Sequence, residues 1–146
     1  MFWQFMILSI ICGVASSIQI GLNATLAKNI SNDLWAAILA LFIGAVGLAI
    51  YAVATQNLSV KWQSLVGLPL WIWTGGLLGA VFVAGSVIAA PRVGAVMFVG
   101  LVLVGQVVAS LLLDHYGYLG FQQTPMSLSK ILGVCLLIGG VILIKK

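Results

Sequence analysis

Five apolar stretches of about 20 residues each dominate this sequence and restrict the folds open to it. A helix of about 20 apolar residues covers the hydrocarbon core of a bilayer. The segments of a transmembrane barrel are about ten residues long and alternate strictly, which these stretches do not. We therefore predict an all-α polytopic membrane protein, with a single transmembrane domain over residues 1–146. The five helices are predicted at about residues 3–27, 34–55, 70–90, 94–113 and 126–144.

The composition supports a membrane protein and argues against a nucleic-acid partner. Hydrophobic residues make up 63% of the chain and charged residues 5%, with a mean hydropathy of +1.27. Soluble domains do not have this balance. The net charge of +4 comes from scattered Lys and Arg residues rather than from a basic patch. Membrane lipids are thus expected partners. The apolar start lacks a positive n-region and is long, so we interpret it as a permanent helix rather than a signal peptide.

Residues suited to catalysis or metal binding are scarce. The chain has no Glu, and Asp114 and His115 are the only adjacent acid and imidazole. Its Cys and His residues do not have metal-ligand spacing, and no Gly-rich phosphate loop precedes a soluble helix. We therefore expect neither an enzyme with catalytic residues nor a bound metal or cofactor.

A row of polar residues runs along the first predicted helix: Ser9, Cys12, Ser16, Gln19 and Asn23. Their spacing of three or four residues places them on one side of a helix. A buried amide without a hydrogen-bond partner costs a few kcal/mol in hydrocarbon. Gln19 and Asn23 are therefore expected to face other helices or a wet cavity.

A second polar row, Gln106, Ser110 and Asp114, follows the fourth predicted helix at four-residue intervals. At about 1.5 Å per residue, Gln19 and Gln106 both fall near the middle of the bilayer. We predict that a substrate pathway is lined by Gln19, Asn23, Thr74, Gln106 and Ser110.

Each of these polar residues also has a structural interpretation. The amides of Gln19 and Gln106 can hydrogen-bond from helix to helix and hold the bundle together. Asp114 is expected near the surface, paired with His115 or Lys130, and it is the one candidate for proton or ion coupling.

Residues at the ends of the helices predict where several of them begin and stop. Asn32 or Asp33 is placed to cap the second helix. Residues 91–93 are expected to form a short connection between the third and fourth helices. Thr124 and Pro125 are expected to be the N-cap and the first residue of the fifth helix.

Small residues recur at four-residue spacing in three of the predicted helices, a pattern that lets membrane helices approach closely. We therefore expect a tightly packed bundle. Five helices nevertheless make a thin wall around a solute cavity, so a second copy of the chain is an expected partner. The rows are Ala40 with Gly44, Gly75 with Gly79, Gly76 with Ala80 and Ala84, and Gly105 with Ala109.

The distribution of positive charge predicts how the chain is oriented in the membrane. Lys28, Arg92, Lys145 and Lys146 share one side of the membrane, and Lys61 and Lys130 the other. The positive-inside rule then places the N-terminus outside and the C-terminus in the cytoplasm. The difference is small enough that insertion in both orientations, a dual topology, remains open.

Several stretches together resemble the YdcZ-like small transporters of the drug/metabolite transporter (DMT) superfamily. These stretches are QIGLNATL at 19–26, WTGGLLG at 73–79, APRVGA at 90–95, Gly105–Gln106, DHYGYLG at 114–120 and the glycine-containing segment 131–140. The resemblance covers essentially the whole chain. It implies a five-helix unit of the inner membrane that pairs with an oppositely oriented copy, forming the ten-helix inverted-repeat plan of larger superfamily members.

The resemblance also shapes the expected function. The small multidrug exporters of this superfamily use a buried glutamate in the first helix for proton exchange, and this chain has none there. We expect a bacterial inner-membrane exporter of a small metabolite or drug-like molecule, working as an antiparallel homodimer or as a heterodimer with a paralogue, with a binding chamber at the midplane. The alternatives are a passive pore, a flippase for a lipid-linked carrier, and a non-transporting subunit of a larger complex.

Overall fold

The regular structure of the chain is helical throughout the residues that the computed structural model describes, which are 2–57, 59, 63 and 65–144. Four helical segments are long and apolar enough to cross a membrane, and the fifth is a 17-residue apolar helix. The all-α polytopic class is confirmed. The helices are α1 (Phe2–Ile30), α2 (Asp33–Ala54), α3 (Thr74–Val93, preceded by a 3-10 turn at Leu70–Trp73), α4 (Ala95–Tyr116) and α5 (Leu128–Ile144).

The start of α2 follows the capping rule. The side chain of Asn32 accepts a hydrogen bond from the backbone N–H of Trp35 at 3.0 Å. This satisfies one of the N–H groups that have no partner in the first turn. The predicted cap is thus confirmed for Asn32, and Asp33 is the first residue of the helix.

The predicted connection at residues 91–93 is wrong, because α3 continues through Pro91 to Val93. Proline removes one backbone hydrogen bond, and so close to the end of a helix this does not stop it. Gly94 has a φ of +89°, a value that residues with a Cβ rarely adopt, and the helix has ended before it.

The predicted start of α5 at Thr124 and Pro125 is also wrong. The helix begins at Leu128, and Ser127 caps it by accepting a hydrogen bond from the backbone N–H of Lys130 at 3.3 Å. The N–H of Thr124 instead donates to the carbonyl oxygen of Asp114 at 2.8 Å. The segment before α5 is therefore a loop tied to the end of α4.

Two compact units make up the chain. We call Met1–Pro91 the N-terminal unit and Arg92–Lys146 the C-terminal unit. In the N-terminal unit, α1 packs on α2, and the core contains alanines and valines from three helices. These are Ala27 of α1, Ala36 and Ala37 of α2, and Val83 and Val87 of α3, with Leu26, Ala40, Phe82 and Ala84 packed against them.

The C-terminal unit is built on the pair of α4 and α5. The two helices pack closely at Gly100, where an added Cβ would lie 2.9 Å from a methyl group of Val141. Phe98 and Val141 are the buried hydrophobic residues of this unit. A side chain at position 100 would therefore not fit without a shift of Val141 or of the helices.

The predicted small-residue rows contribute less to packing than expected. Ala40 and Ala84 pack against the core. The glycines of the rows do not, because a Cβ added to any of them would meet no atom of the described residues within 4 Å. For these glycines the prediction of tight packing within the chain is wrong. They are Gly44, Gly75, Gly76, Gly79 and Gly105.

Part of the topology prediction lies outside the described residues. This applies to three of the six charges that were counted, namely Lys61, Lys145 and Lys146. The predicted orientation stays a prediction.

Candidate functional site

The two amides of the polar row in α1 have different environments. Asn23 is 7% exposed and shares the buried face of α1 with Ile20 and Ala27. Gln19 lies beside this face and is exposed. The row is therefore divided, with Asn23 packed inside the N-terminal unit and Gln19 on its outer surface.

Three hydroxyl groups of α1, those of Ser9, Ser17 and Thr25, donate to carbonyl groups of the same helix. The hydroxyl of Ser9 donates to the carbonyl oxygen of Phe5 at 2.8 Å, and that of Thr25 donates to the carbonyl of Gly21 at 2.9 Å. Such bonds to the preceding turn are common for Ser and Thr in membrane helices. These three hydroxyl groups therefore need no partner from another helix.

Thr74 does not lie near the middle of its span. It is the first residue of α3, and its exposed hydroxyl donates to the carbonyl oxygen of Trp71 at 2.6 Å. This hydrogen bond lies at the junction where the 3-10 turn continues into the α-helix. The observed role of Thr74 is thus local.

Gln106 is exposed at the centre of α4. It lies eleven residues after Ala95 and ten residues before Tyr116. Gln19 lies eleven residues before Ile30, the last residue of α1. At about 1.5 Å per residue, each amide is about 16 Å from one end of its own helix. This distance is about half the thickness of the hydrocarbon core, which is about 30 Å, so the predicted midplane depth of the two amides stays a prediction consistent with their positions along the helices.

Ser110 and Asp114 are brought together in an open groove between α4 and α5, which has a volume of about 320 Å³. We call it the α4–α5 groove. Lys130, which the sequence did not mark as a site residue, lines the same groove. Opposite charges at the two ends of one interhelical loop were the signal that could have identified it. The remaining lining residues are Val107, Leu111, Gly133, Val134 and Leu137.

Hydrogen bonds hold the loop against the end of α4. Gly117 ends this helix in the left-handed conformation, and its N–H donates to the carbonyl oxygen of Leu113. The side-chain amide of Gln123 donates to the carbonyl of His115 at 3.2 Å. Together with the bond from Thr124, these contacts satisfy carbonyl groups that the end of a helix leaves without partners.

The predicted pairing of Asp114 with His115 or Lys130 is wrong. The ammonium group of Lys130 donates to the hydroxyl of Thr124 at 3.1 Å, and Nδ1 of His115 accepts the N–H of Met126 at 3.3 Å. Within residues 65–144, no ion pair joins Asp114 to either residue. Asp114 is half-buried and lines the groove as a carboxylate beside an ammonium group with which it is not paired.

Comparison with known protein families gives one match, which covers residues 4–143. The matching family model is DMT_YdcZ, described as "Putative inner membrane exporter, YdcZ". No significant match was found among curated proteins or among solved structures.

Proposed function

Because the chain belongs to the YdcZ family of inner membrane exporters, we propose that it exports a small polar or amphipathic molecule, a metabolite or a drug-like compound. The family points to a multi-pass transporter of the inner membrane rather than to an enzyme. In this proposal the chain works as half of a ten-helix assembly of the drug/metabolite transporter type. Its partner is a second copy or a paralogue in the opposite orientation.

Two exposed amides, each far from the ends of a long apolar helix, are the observation that carries the proposal. Gln19 and Gln106 each lie about 16 Å from one end of an apolar helix and are not covered by the chain itself. A bare amide in hydrocarbon costs a few kcal/mol. A partner chain removes this cost. Inversion preserves the depth of a midplane residue, so the amides of two opposed copies meet at the same level.

The chamber proposed here lies between the two copies. Gln19 and Gln106 line it, Asn23 supports it from the buried face of α1, and Ser110 extends the path one turn above Gln106. In this proposal Thr74 lies at one end of the path, since it is the first residue of α3. Asp114 is left out, because it is two residues from the end of α4 and so at the level of the headgroups. Ion coupling through Asp114 stays a prediction.

The chemistry of the chamber favours substrates without net charge. A glutamine or asparagine amide offers two N–H donors and a carbonyl acceptor and carries no charge. Such groups bind hydroxyls, amides and carbonyls of a solute, while the surrounding aliphatic side chains accept its apolar part. Alternating access then requires only that the two copies rock about a fixed site.

Cross-linking in membranes tests the paired architecture. Cys12 and Cys135 are first replaced by alanine, and Gln106→Cys is introduced. We expect a disulfide-linked dimer on mild oxidation, since the two copies present this position at one depth. The matched control is Val108→Cys, which is exposed in the same helix but lies about 160° away around its axis. Equal cross-linking at the two positions, or none at Gln106→Cys, would contradict the assembly.

Transport is tested in liposomes loaded with the uncharged amphipathic dye Nile red. We expect saturable efflux that falls about tenfold in Gln106→Ala, because the loss of one or two hydrogen bonds to a substrate amounts to about 1.4 kcal/mol. The variant must still cross-link through Gln19→Cys. Efflux that does not saturate would favour a passive pore. A lack of efflux for the dye and for neutral metabolites alike, with a tightly co-purifying protein, would favour a non-transporting subunit.

A further inference from the structure

The α4–α5 groove has a polar end and an apolar end. Asp114 on α4 and Lys130 on α5 lie at the end nearest the interhelical loop. Towards the other end, the lining is Val107, Leu111 and Leu137, with Ser110 contributing a hydroxyl. The groove is thus amphipathic along its length.

The position of the groove matches the depth profile of a membrane lipid. Asp114 lies two residues from the end of α4, and Lys130 is the third residue of α5. From these charges the groove runs seven residues along each helix, to Val107 and Leu137, which is about 10 Å. It therefore begins at the headgroup level and descends into the hydrocarbon region.

The two charges favour a ligand that carries both signs. Among residues 65–144 no ion pair involves the Asp114 carboxylate. The Lys130 ammonium uses one of its three donors on Thr124, so two remain. An anionic lipid would place its charge beside Asp114, and a cation would be repelled by Lys130.

We propose that the α4–α5 groove binds a zwitterionic aminophospholipid of the bilayer. The primary ammonium group of its headgroup contacts Asp114, its phosphate contacts Lys130, and the upper part of one acyl chain lies along Val107, Leu111 and Leu137. A primary ammonium donates hydrogen bonds to the carboxylate, and a quaternary choline has no N–H to donate. This site does not rest on the proposed export.

The test is native mass spectrometry of the full chain in detergent with phosphatidylethanolamine, phosphatidylcholine and phosphatidylglycerol of identical acyl chains. We expect about fivefold more phosphatidylethanolamine than phosphatidylcholine on the protein, from charge-assisted hydrogen bonds at a half-buried carboxylate. Asp114→Asn should make the two lipids equal, and Lys130→Gln should lower the retention of all three. Asp33→Asn and Lys28→Gln remove the same charges outside the groove and should change nothing.

A second pair of variants tests the apolar part without altering a charge. Gly133 and Gly139 both lie on α5 with open space where a Cβ would be, and only Gly133 lines this groove. Gly133→Leu fills the groove and should reduce bound phosphatidylethanolamine about fivefold, since the acyl chain loses its contacts. Gly139→Leu should leave it unchanged.

Several outcomes would overturn the proposal. They are equal retention of the three lipids, stronger retention of phosphatidylglycerol, a preference that survives in Asp114→Asn, and equal loss in the two glycine variants. Displacement of the lipid by the same concentration of soluble glycerophosphoethanolamine would show a headgroup site for a free solute instead. None of these readouts depends on transport, so this proposal and the export proposal stand or fall separately.

Discussion

The N-terminal and C-terminal units are held together by different interactions. The N-terminal unit has a core of small aliphatic side chains from three helices, in which Ala36 is 0% exposed. The C-terminal unit has a close contact of α4 and α5 at Gly100 and Val141, and a loop hydrogen-bonded to the end of α4. Beside that loop it leaves an amphipathic groove open.

The difference separates two ways of stabilising helices in a membrane. Where aliphatic side chains interdigitate, stability depends on their volume, because membrane helices gain mainly dispersion energy by packing. Where a loop satisfies the end of a helix, stability depends on hydrogen bonds that water at the interface also offers, so each bond contributes less. Substitutions that change volume should therefore have larger effects than those that remove a hydrogen bond.

The largest effect is expected at the core of the N-terminal unit. Ala36→Leu should lower the free energy of unfolding by about 3 kcal/mol, because three added carbons enter a site with no exposed surface. The measurement is thermal unfolding in detergent. Ala45→Leu adds the same volume to an exposed position of α2 and should change stability little. Equal losses in both variants would mean that volume at Ala36 does not limit packing.

The second test concerns the close contact of α4 and α5 at Gly100. Gly100→Leu should cost about 2 kcal/mol, because its Cβ alone would lie 2.9 Å from a methyl of Val141, a β-branched residue with little rotamer freedom. Gly105→Leu lies in the same helix with open space and should be neutral or slightly stabilising, since leucine has the higher helix propensity. A Gly105→Leu loss as large as that of Gly100→Leu would contradict the contact assigned here.

The smallest effect is expected at the helix caps, where the two units should behave alike. Ser127→Ala and Asn32→Ala should each cost about 1 kcal/mol, since each removes the side-chain acceptor of an N–H in the first turn. Ser129→Ala is exposed and should have no effect. If either cap variant lost more stability than Ala36→Leu, this would contradict the proposal that packing contributes more to stability than hydrogen bonds at the helix ends.

The helical segments could be predicted because they depend on the hydropathy and the capping residues of each stretch of sequence. Long apolar runs bounded by polar residues identified all five helices to within a few residues, and Asn32 was correctly placed as a cap. Pro91 and Pro125 misled the prediction for opposite reasons. Proline near the end of α3 was tolerated, and the N-cap of α5 moved to Ser127 because Thr124 was held by α4.

The sequence indicated which polar residues are candidates for the site, but not whether each of them is exposed or buried. A spacing of three or four residues placed Gln19 and Asn23 on one side of α1, yet one is exposed and the other buried. The spacing of residues gives their angles around the helix axis, but it does not show how far the neighbouring helix covers that side. It therefore cannot tell which of two residues about 40° apart is buried. Lys130 was predicted as a possible partner of Asp114 but not as a site residue, because the groove that both residues line arises from the packing of α4 on α5.

The sequence by itself determined the membrane class and the five helices, because these depend on hydropathy and on a fixed rise per residue. The tertiary structure decided which polar groups are covered, which glycine makes the close contact, and that Asp114 and Lys130 share a groove without forming an ion pair. These features depend on distances between helices, which are set by the fit of side chains from separate parts of the chain.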